Sequence, residues 1–148
     1  MKKKHPYGII DPCLRIDIAN SILDEFFQIT GQLKMRACLT HGLCLGFVRD
    51  GGYIEGDNDL DVGVICNNEE QVNLMTLLEK HGFIRGGTCR KGNVHFHKNN
   101  VLLDIYPVKS DGFYSQFDNV QYKGKAYSIP HPIEEYLKTM YGDWRIKK

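Results

Sequence analysis

Asp57, Asp59 and Asp61 stand on alternate residues directly before the apolar run Val62-Gly-Val-Ile-Cys66, and no other feature constrains the fold of this chain as much. Alternate residues of a strand share a face. If residues 57–65 are extended, three carboxylates point the same way at the mouth of a strand whose remainder wants burial. Side-by-side carboxylates repel unless a cation joins them. Hard divalent ions take oxygen ligands, commonly one or two carboxylates together with substrate phosphates, and a pair of such ions stabilises the attacking and leaving oxygens of a displacement. A calcium EF-hand does not fit, because its loop needs a glutamate at the twelfth position and the residue there, counted from Asp57, is Asn68. The plain alternative is a solvated acidic turn.

Two further features favour the cation site. Val101-Leu-Leu-Asp-Ile-Tyr-Pro-Val108 is strand-like, and its single charge, Asp104, sits among residues that want burial. An unpaired buried carboxylate is costly, so Asp104 is a natural third ligand beside Asp59 and Asp61. Its alternatives are an edge strand facing water, or a buried pair with Arg or His. Upstream, Gly42-Leu-Cys-Leu-Gly46 reads as a glycine-rich turn whose backbone amides, at Gly42, Leu43 and Gly46, approach an anion closely. A short helix expected to begin near Leu43 presents its amide end to the same anion. Arg49 follows, with a guanidinium fork that suits phosphate oxygens.

Together, Gly42 to Gly46, Arg49, Gly52, Ile54 and Asp57-Asn-Asp-Leu-Asp61 resemble the signature of the LicD-type family of the nucleotidyltransferase superfamily. The later pieces follow in order: Leu103-Asp-Ile-Tyr-Pro-Val108 is similar to the family's Asp-Ile-Phe-Pro strand, and Ile129-Pro-His-Pro-Ile-Glu-Glu-Tyr-Leu137 with Tyr141-Gly-Asp-Trp144 to its closing helix and tail. The resemblance implies an α+β fold, a small mixed nucleotidyltransferase-like sheet flanked by helices. It implies that Asp59, Asp61 and Asp104 hold Mg²⁺ or Mn²⁺, that Gly42, Leu43, Gly46 and Arg49 surround phosphates, and that Arg49 offsets developing charge. The partners it implies are a nucleotide or CDP-activated donor and a hydroxyl-bearing acceptor, a glycan or small molecule. For the proton of that hydroxyl the residues offer Asp104 or His95 as base, Asp104 first if it sits between metal and acceptor. Where the family has Gly-Ser or Gly-Thr, this chain has Gly42-Leu43, so Thr40 or His41 is left to replace the hydroxyl. Two rival readings remain. One is a non-catalytic nucleotide or metal sensor; the other is a protein-modifying nucleotidyltransferase of the toxin-antitoxin kind.

The rest of the chain frames this region. An amphipathic helix follows Asp11-Pro-Cys-Leu-Arg15, with Ile18, Ile22, Phe26 and Ile29 as its stripe and Gly31 as its end. Met35 to Leu39 reads as a strand. Asn67-Asn-Glu-Glu opens a helix with Val72, Met75 and Leu78 buried and His81-Gly82 as its stop. Phe83 to Cys89 and Asn93 to His97 read as strands, and Asn99-Asn100 as the turn of a hairpin returning through Val101 to Val108. Asp111 to Tyr127 reads as a hairpin covering the cleft, in which Tyr114, Phe117 and Tyr122 either pack or stack on a base. Trp144 anchors the last helix.

The 148 residues, 42% of them hydrophobic, suit a single domain over 1–148. A net charge of +1 offers no field for DNA, and the basic runs Lys2 to Lys4 and Arg145 to Lys148 read as solvated tails. No stretch approaches the roughly 20 apolar residues of a membrane span, and no signal-like core follows the start. Five scattered cysteines, Cys13, Cys38, Cys44, Cys66 and Cys89, suggest reduced thiols and a cytoplasmic setting. A zinc site at Cys89, His95 and His97 matches no closed ligand spacing.

Overall fold

The computed structural model describes residues 4–5, 8–9, 15–57, 59–89 and 92–147. The expectations for Cys13, for the Asp11-Pro12 lead into the first helix and for Lys2-Lys3 and Lys148 fall outside these residues. A short antiparallel pair, β1 (Lys4–His5) and β2 (Gly8–Ile9), precedes α1 (Ile16–Gln32). In α1, Ile22, Phe26 and Ile29 recur at helical spacing and are buried together with Ala19 and Leu23, while Ile18 is only partly covered.

The central sheet is built from β3 (Ala37–Leu39), β4 (Asp59–Ile65), β5 (Ile84–Thr88), β6 (Val94–Lys98) and β7 (Val101–Val108), in the order β3-β4-β7-β6-β5. Only the β4–β7 pair is parallel, so the sheet is mixed. Between β3 and β4 lies α2 (His41–Arg49); between β4 and β5 lies α3 (Asn68–Lys80). The cap of α3 is reciprocal: the Asn67 side chain accepts the Glu70 N–H at 2.8 Å, and the Glu70 carboxylate accepts the Asn67 N–H at 2.9 Å. Gly82, at φ +86°, stops that helix. The buried stripe of α3 is Leu74, Met75 and Leu78, whereas Val72 is 61% exposed and does not belong to it. Spacings of three from 72 to 75 to 78 drift off the 3.6-residue period, and the tighter set at 74, 75 and 78 takes the core.

The hairpin expected over Asp111 to Tyr127 lies further on: Gly112–Tyr114 is a 3-10 turn, and β8 (Phe117–Tyr122) pairs with β9 (Lys125–Pro130) in a second hairpin that lies against β3 and α2 and leads into α4 (Ile133–Tyr141). The Asp118 carboxylate receives the Ile133 N–H at 3.0 Å and so caps α4 from the hairpin. Tyr122 is a packing residue: its ring stacks on Phe47 at 4.4 Å and its hydroxyl donates to Asn20 Oδ1 at 3.1 Å. Trp144, just beyond α4, is buried. Among the described residues no helix is long and apolar enough to cross a membrane.

Candidate active site

The parallel register of β4 and β7 sets Asp61 directly beside Asp104, with Asp59 two residues earlier on the same face of β4. Asp59, Asp61 and Asp104 each offer an oxygen, and these oxygens all lie within 4.8 Å of one another. The apolar alternation that makes β4 a strand thus delivers the charges: Leu60, Val62 and Val64 are fully buried on the other face. Asp61 and Asp104 are each 6% exposed. Burial pushes the Asp61 carboxyl well above the usual carboxylate range, the charges of Asp59, Asp104 and Asp57 push it further, and a hydrogen bond from the Leu43 N–H works against them. Among the described residues no lysine or arginine pairs with Asp59 or Asp61.

The N-terminus of α2 sits on this cluster. Gly42 is small for a local reason: a Cβ there would lie 3.2 Å from Asp57 Oδ2 and 3.6 Å from Asp61 Oδ2. His41 takes the left-handed backbone at φ +49°, a strained conformation for a residue with a Cβ. Its N–H donates to the Tyr136 hydroxyl at 3.0 Å, which ties α4 to the start of α2. The His41 ring stacks on Tyr106 at 4.1 Å, and the Tyr106 hydroxyl donates to Asp104 Oδ2 at 3.2 Å. Asn93 Nδ2 donates to Asp104 Oδ1 at 2.9 Å, and His95 Nδ1 stands 3.0 Å from the same oxygen. Burial, followed by the Asp61 and Asp104 charges, raises the Tyr106 phenol far above its ordinary range. Tyr141 is pushed up to about 12, by burial and then by Asp61, Cys44, Asp57 and Asp59, so its hydroxyl also lies in the field of the cluster.

Other expected site residues are placed differently. Gly42 to Gly46 is not a turn but part of α2, which begins at His41 and runs on to Arg49. Gly46 lies inside that helix, and a Cβ there would come 2.5 Å from the Gly52 carbonyl and 3.0 Å from Ile54. Its size serves the close approach of the 52–54 segment rather than an anion. The Leu43 side chain is buried in the core, and its N–H is taken by Asp61. Thr40 is also buried, with its hydroxyl oxygen unpaired and no exposure through which to meet a substrate. Arg49 is committed to Asp50, donating through Nε and Nη2 at 2.7 and 3.0 Å, and its Nη1 reaches the Trp144 carbonyl at 3.4 Å. That pairing holds the Asp50 carboxyl below the usual range. Arg49 instead lines a cleft of about 450 Å³ with Ile54, Glu55, Tyr141, Trp144 and Lys147.

The Cys89–His95–His97 zinc idea finds no support: among the described residues the acidic trio is the single group of three metal-ligating side chains. Cys38, Cys44, Cys66 and Cys89 are free thiols. Tyr106 and Asn93 were not foreseen as site residues, whereas His41 was, as a stand-in for the missing hydroxyl. A signal for part of this was present, since a two-residue Asn99-Asn100 turn fixes Lys98 opposite Val101 and, counting outward, His95 opposite Asp104.

Comparison with known proteins gives a family and a fold. The family described as LicD/FKTN/FKRP, nucleotidyltransferase domain, matches residues 34–140, and the chain belongs to that family. The lincosamide antibiotic adenylyltransferase LnuA, lincomycin-bound, superposes with a TM-score of 0.64 at 14% identity, over 83% of this chain and 84% of that one. The antibiotic-resistance factor ANT(2'')-Ia gives 0.62 at 11% identity, over 78% and 66%. An antigenic nucleotidyltransferase-like protein from Paracoccidioides brasiliensis gives 0.56 at 13%, over 86% and 66%. No curated protein matches the sequence. The expected family and the α+β nucleotidyltransferase-like fold are both borne out.

Proposed function

We propose that this LicD-family domain is a divalent-metal-dependent transferase that moves a nucleotidyl or phospho-substituent from a nucleoside triphosphate or CDP-activated donor to a hydroxyl of a small molecule or glycan. The observation that carries this reading is the convergence of three carboxylates at the N-terminus of a helix, with Asp61 buried and repelled by its neighbours. The donor set fits Mg²⁺ or Mn²⁺: all oxygens, clustered, and without a basic side chain on Asp59 or Asp61. When bound there, such ions supply charge against which donor phosphates are held and the scissile phosphoanhydride is polarised.

The chain's own groups do the positioning. The Leu43 N–H orients Asp61. Asn93 and Tyr106 donate to the two oxygens of Asp104 and fix its orientation, with His95 Nδ1 3.0 Å from Oδ1; Asp104 is the group placed to take the proton of an acceptor hydroxyl. The Arg49–Asp50 pair, with Trp144 and Tyr141, shapes a cleft whose volume of about 450 Å³ suits one small substrate. The lincomycin-bound and adenylyl-tobramycin-bound neighbours make antibiotics a sensible part of the acceptor panel.

The test is product formation. Labelled ATP, CTP and CDP-choline are incubated with Mn²⁺, the protein and a panel of lincosamide, aminoglycoside, polyol and glycan acceptors, and adducts are read by mass spectrometry. An adduct made by wild type and lost in Asp59→Asn and in Asp104→Asn supports the reading. Metal-dependent donor binding with no adduct on any acceptor, or label incorporated into lysate proteins alone, replaces it with the sensor or the protein-modifying reading.

A further inference from the structure

Two long-range contacts meet at His41, and the chemistry proposed above uses neither His41 nor Tyr136. His41 opens α2 in the left-handed backbone, at φ +49°, a conformation that persists only where the surroundings hold it. The usual hold is missing: Thr40, at the N-cap, makes no side-chain cap hydrogen bond. Amides of the first turn are satisfied from elsewhere in the fold instead. The His41 N–H donates to the Tyr136 hydroxyl at 3.0 Å, and the Leu43 N–H donates to Asp61.

Tyr136 is firmly seated for that contact. It is 2% exposed, and its ring lies edge-on to Phe113 at 5.5 Å and to Tyr114 at 6.4 Å. The helix that carries it is fixed at its start by the Asp118 carboxylate on the Ile133 N–H. What Tyr136 pins lies against the carboxylates from two sides. On one, a Cβ at Gly42 would come 3.2 Å from Asp57 Oδ2 and 3.6 Å from Asp61 Oδ2, so the start of α2 is packed directly on them. On the other, the His41 ring stacks on Tyr106 at 4.1 Å, and the Tyr106 hydroxyl donates to Asp104. A shift of His41 therefore reaches Asp61 through Leu43 and Asp104 through Tyr106.

We infer that Tyr136 is a positioning residue for the acidic cluster: its hydroxyl holds the His41 N–H and so sets both the amide end of α2 on Asp61 and the Tyr106 hydroxyl on Asp104. Asp61 and Asp104 lie on different strands, and one hydroxyl on α4 fixes the supports of both. Groups outside the ligand shell orient ligating carboxylates in this way. The hold on α2 stands on the geometry alone, whereas its consequence for a cation rests on the metal-site reading above.

The test variant is Tyr136→Phe, which keeps the ring and removes the acceptor; Leu137→Val, a core change at the next position of α4, controls for loosened packing. Calorimetric Mn²⁺ titration is expected to give about tenfold weaker binding for Tyr136→Phe and wild-type affinity for Leu137→Val. Wild-type affinity in Tyr136→Phe, or the same loss in both variants, overturns the role at the metal. Nuclear magnetic resonance of the metal-free protein reads the hold itself. The His41 ring protons, assigned by their loss in His41→Gln, are expected upfield in wild type beside the Tyr106 ring. They should move towards the free-histidine position in Tyr136→Phe and stay in place in Leu137→Val. An unmoved resonance in Tyr136→Phe overturns the hold on α2. A wild-type His41 N–H that exchanges with solvent as fast as an exposed amide overturns the proposal even if Tyr136→Phe fails to fold. If wild type binds no Mn²⁺ while the His41 ring still moves in Tyr136→Phe, the metal reading falls and the positioning of α2 is supported.

Discussion

Neutralising Asp61 is expected to make the metal-free protein more stable while destroying its proposed function. Asp61 is 6% exposed, and its carboxyl oxygens share a 4.8 Å cluster with those of Asp59 and Asp104. At an effective dielectric of about 20, unit charges 4.8 Å apart repel by about 3.5 kcal/mol. Asp59 is only partly buried and Asp104 accepts from Asn93 and Tyr106, so solvent and these donors reduce the net relief to about 2 kcal/mol. In Asp61→Asn the amide oxygen still accepts the Leu43 N–H, so packing and helix capping persist. Thermal unfolding with a chelator present should then rise by about 4–8 °C, at roughly 2–4 °C per kcal/mol for a chain of this size. The pH profile carries the same sign. Because the folded Asp61 carboxyl is raised above its unfolded value, metal-free wild type loses stability as pH rises from the unfolded carboxylate range of about 3.9 towards the folded value. The variant should lack that decline. A lower melting temperature for Asp61→Asn in chelator refutes the electrostatic reasoning.

Three substitutions test the frame around the site. Gly46→Ala places a Cβ 2.5 Å from the Gly52 carbonyl, and urea unfolding should show a loss of about 1–3 kcal/mol, as for overpacked cores. Arg49→Gln leaves the Asp50 carboxylate, 12% exposed, without its bidentate partner; chemical denaturation should show a loss of about 2 kcal/mol at neutral pH. Because Asp50 is lowered in the fold, wild type loses that contribution as pH falls through the folded value, and the gap between wild type and variant should close in acid. Asn67→Ala removes one half of the α3 capping box and should cost about 1 kcal/mol without altering metal binding.

The carboxylates of the site were legible because each breaks a local rule: a charge inside an apolar, strand-forming run demands a partner. Asp59, Asp61 and Asp104 share that demand, a cluster of oxygens suited to a cation. The parallel pairing of β4 with β7 that joins them is a long-range fact, but the apolar runs on both strands already asked for a shared interior. What local sequence misread were glycines and lone charges, whose reasons lie elsewhere in the fold. Gly42 faces carboxylates and Gly46 faces the Gly52 backbone, both inside a helix that glycine content disfavours. Arg49 was read by its phosphate chemistry, yet the neighbouring Asp50 holds it. His95 was visible as a metal-type residue; the hairpin register that sets it beside Asp104 needed the Asn99-Asn100 turn to be counted outward.

The central claim is that the acidic cluster is a metal-dependent nucleotide site. Its most direct test is thermal unfolding of wild type and of an Asp59→Ala/Asp61→Ala double variant with ATP, CTP, GTP, UTP or CDP-choline, each with and without Mg²⁺ or Mn²⁺. Ligand present at about 100 times its Kd adds about 2.7 kcal/mol to the folded state. The account predicts a rise of several degrees with at least one nucleotide, only when metal is present and only in wild type. No shift with any nucleotide, or an equal shift in the double variant, contradicts it.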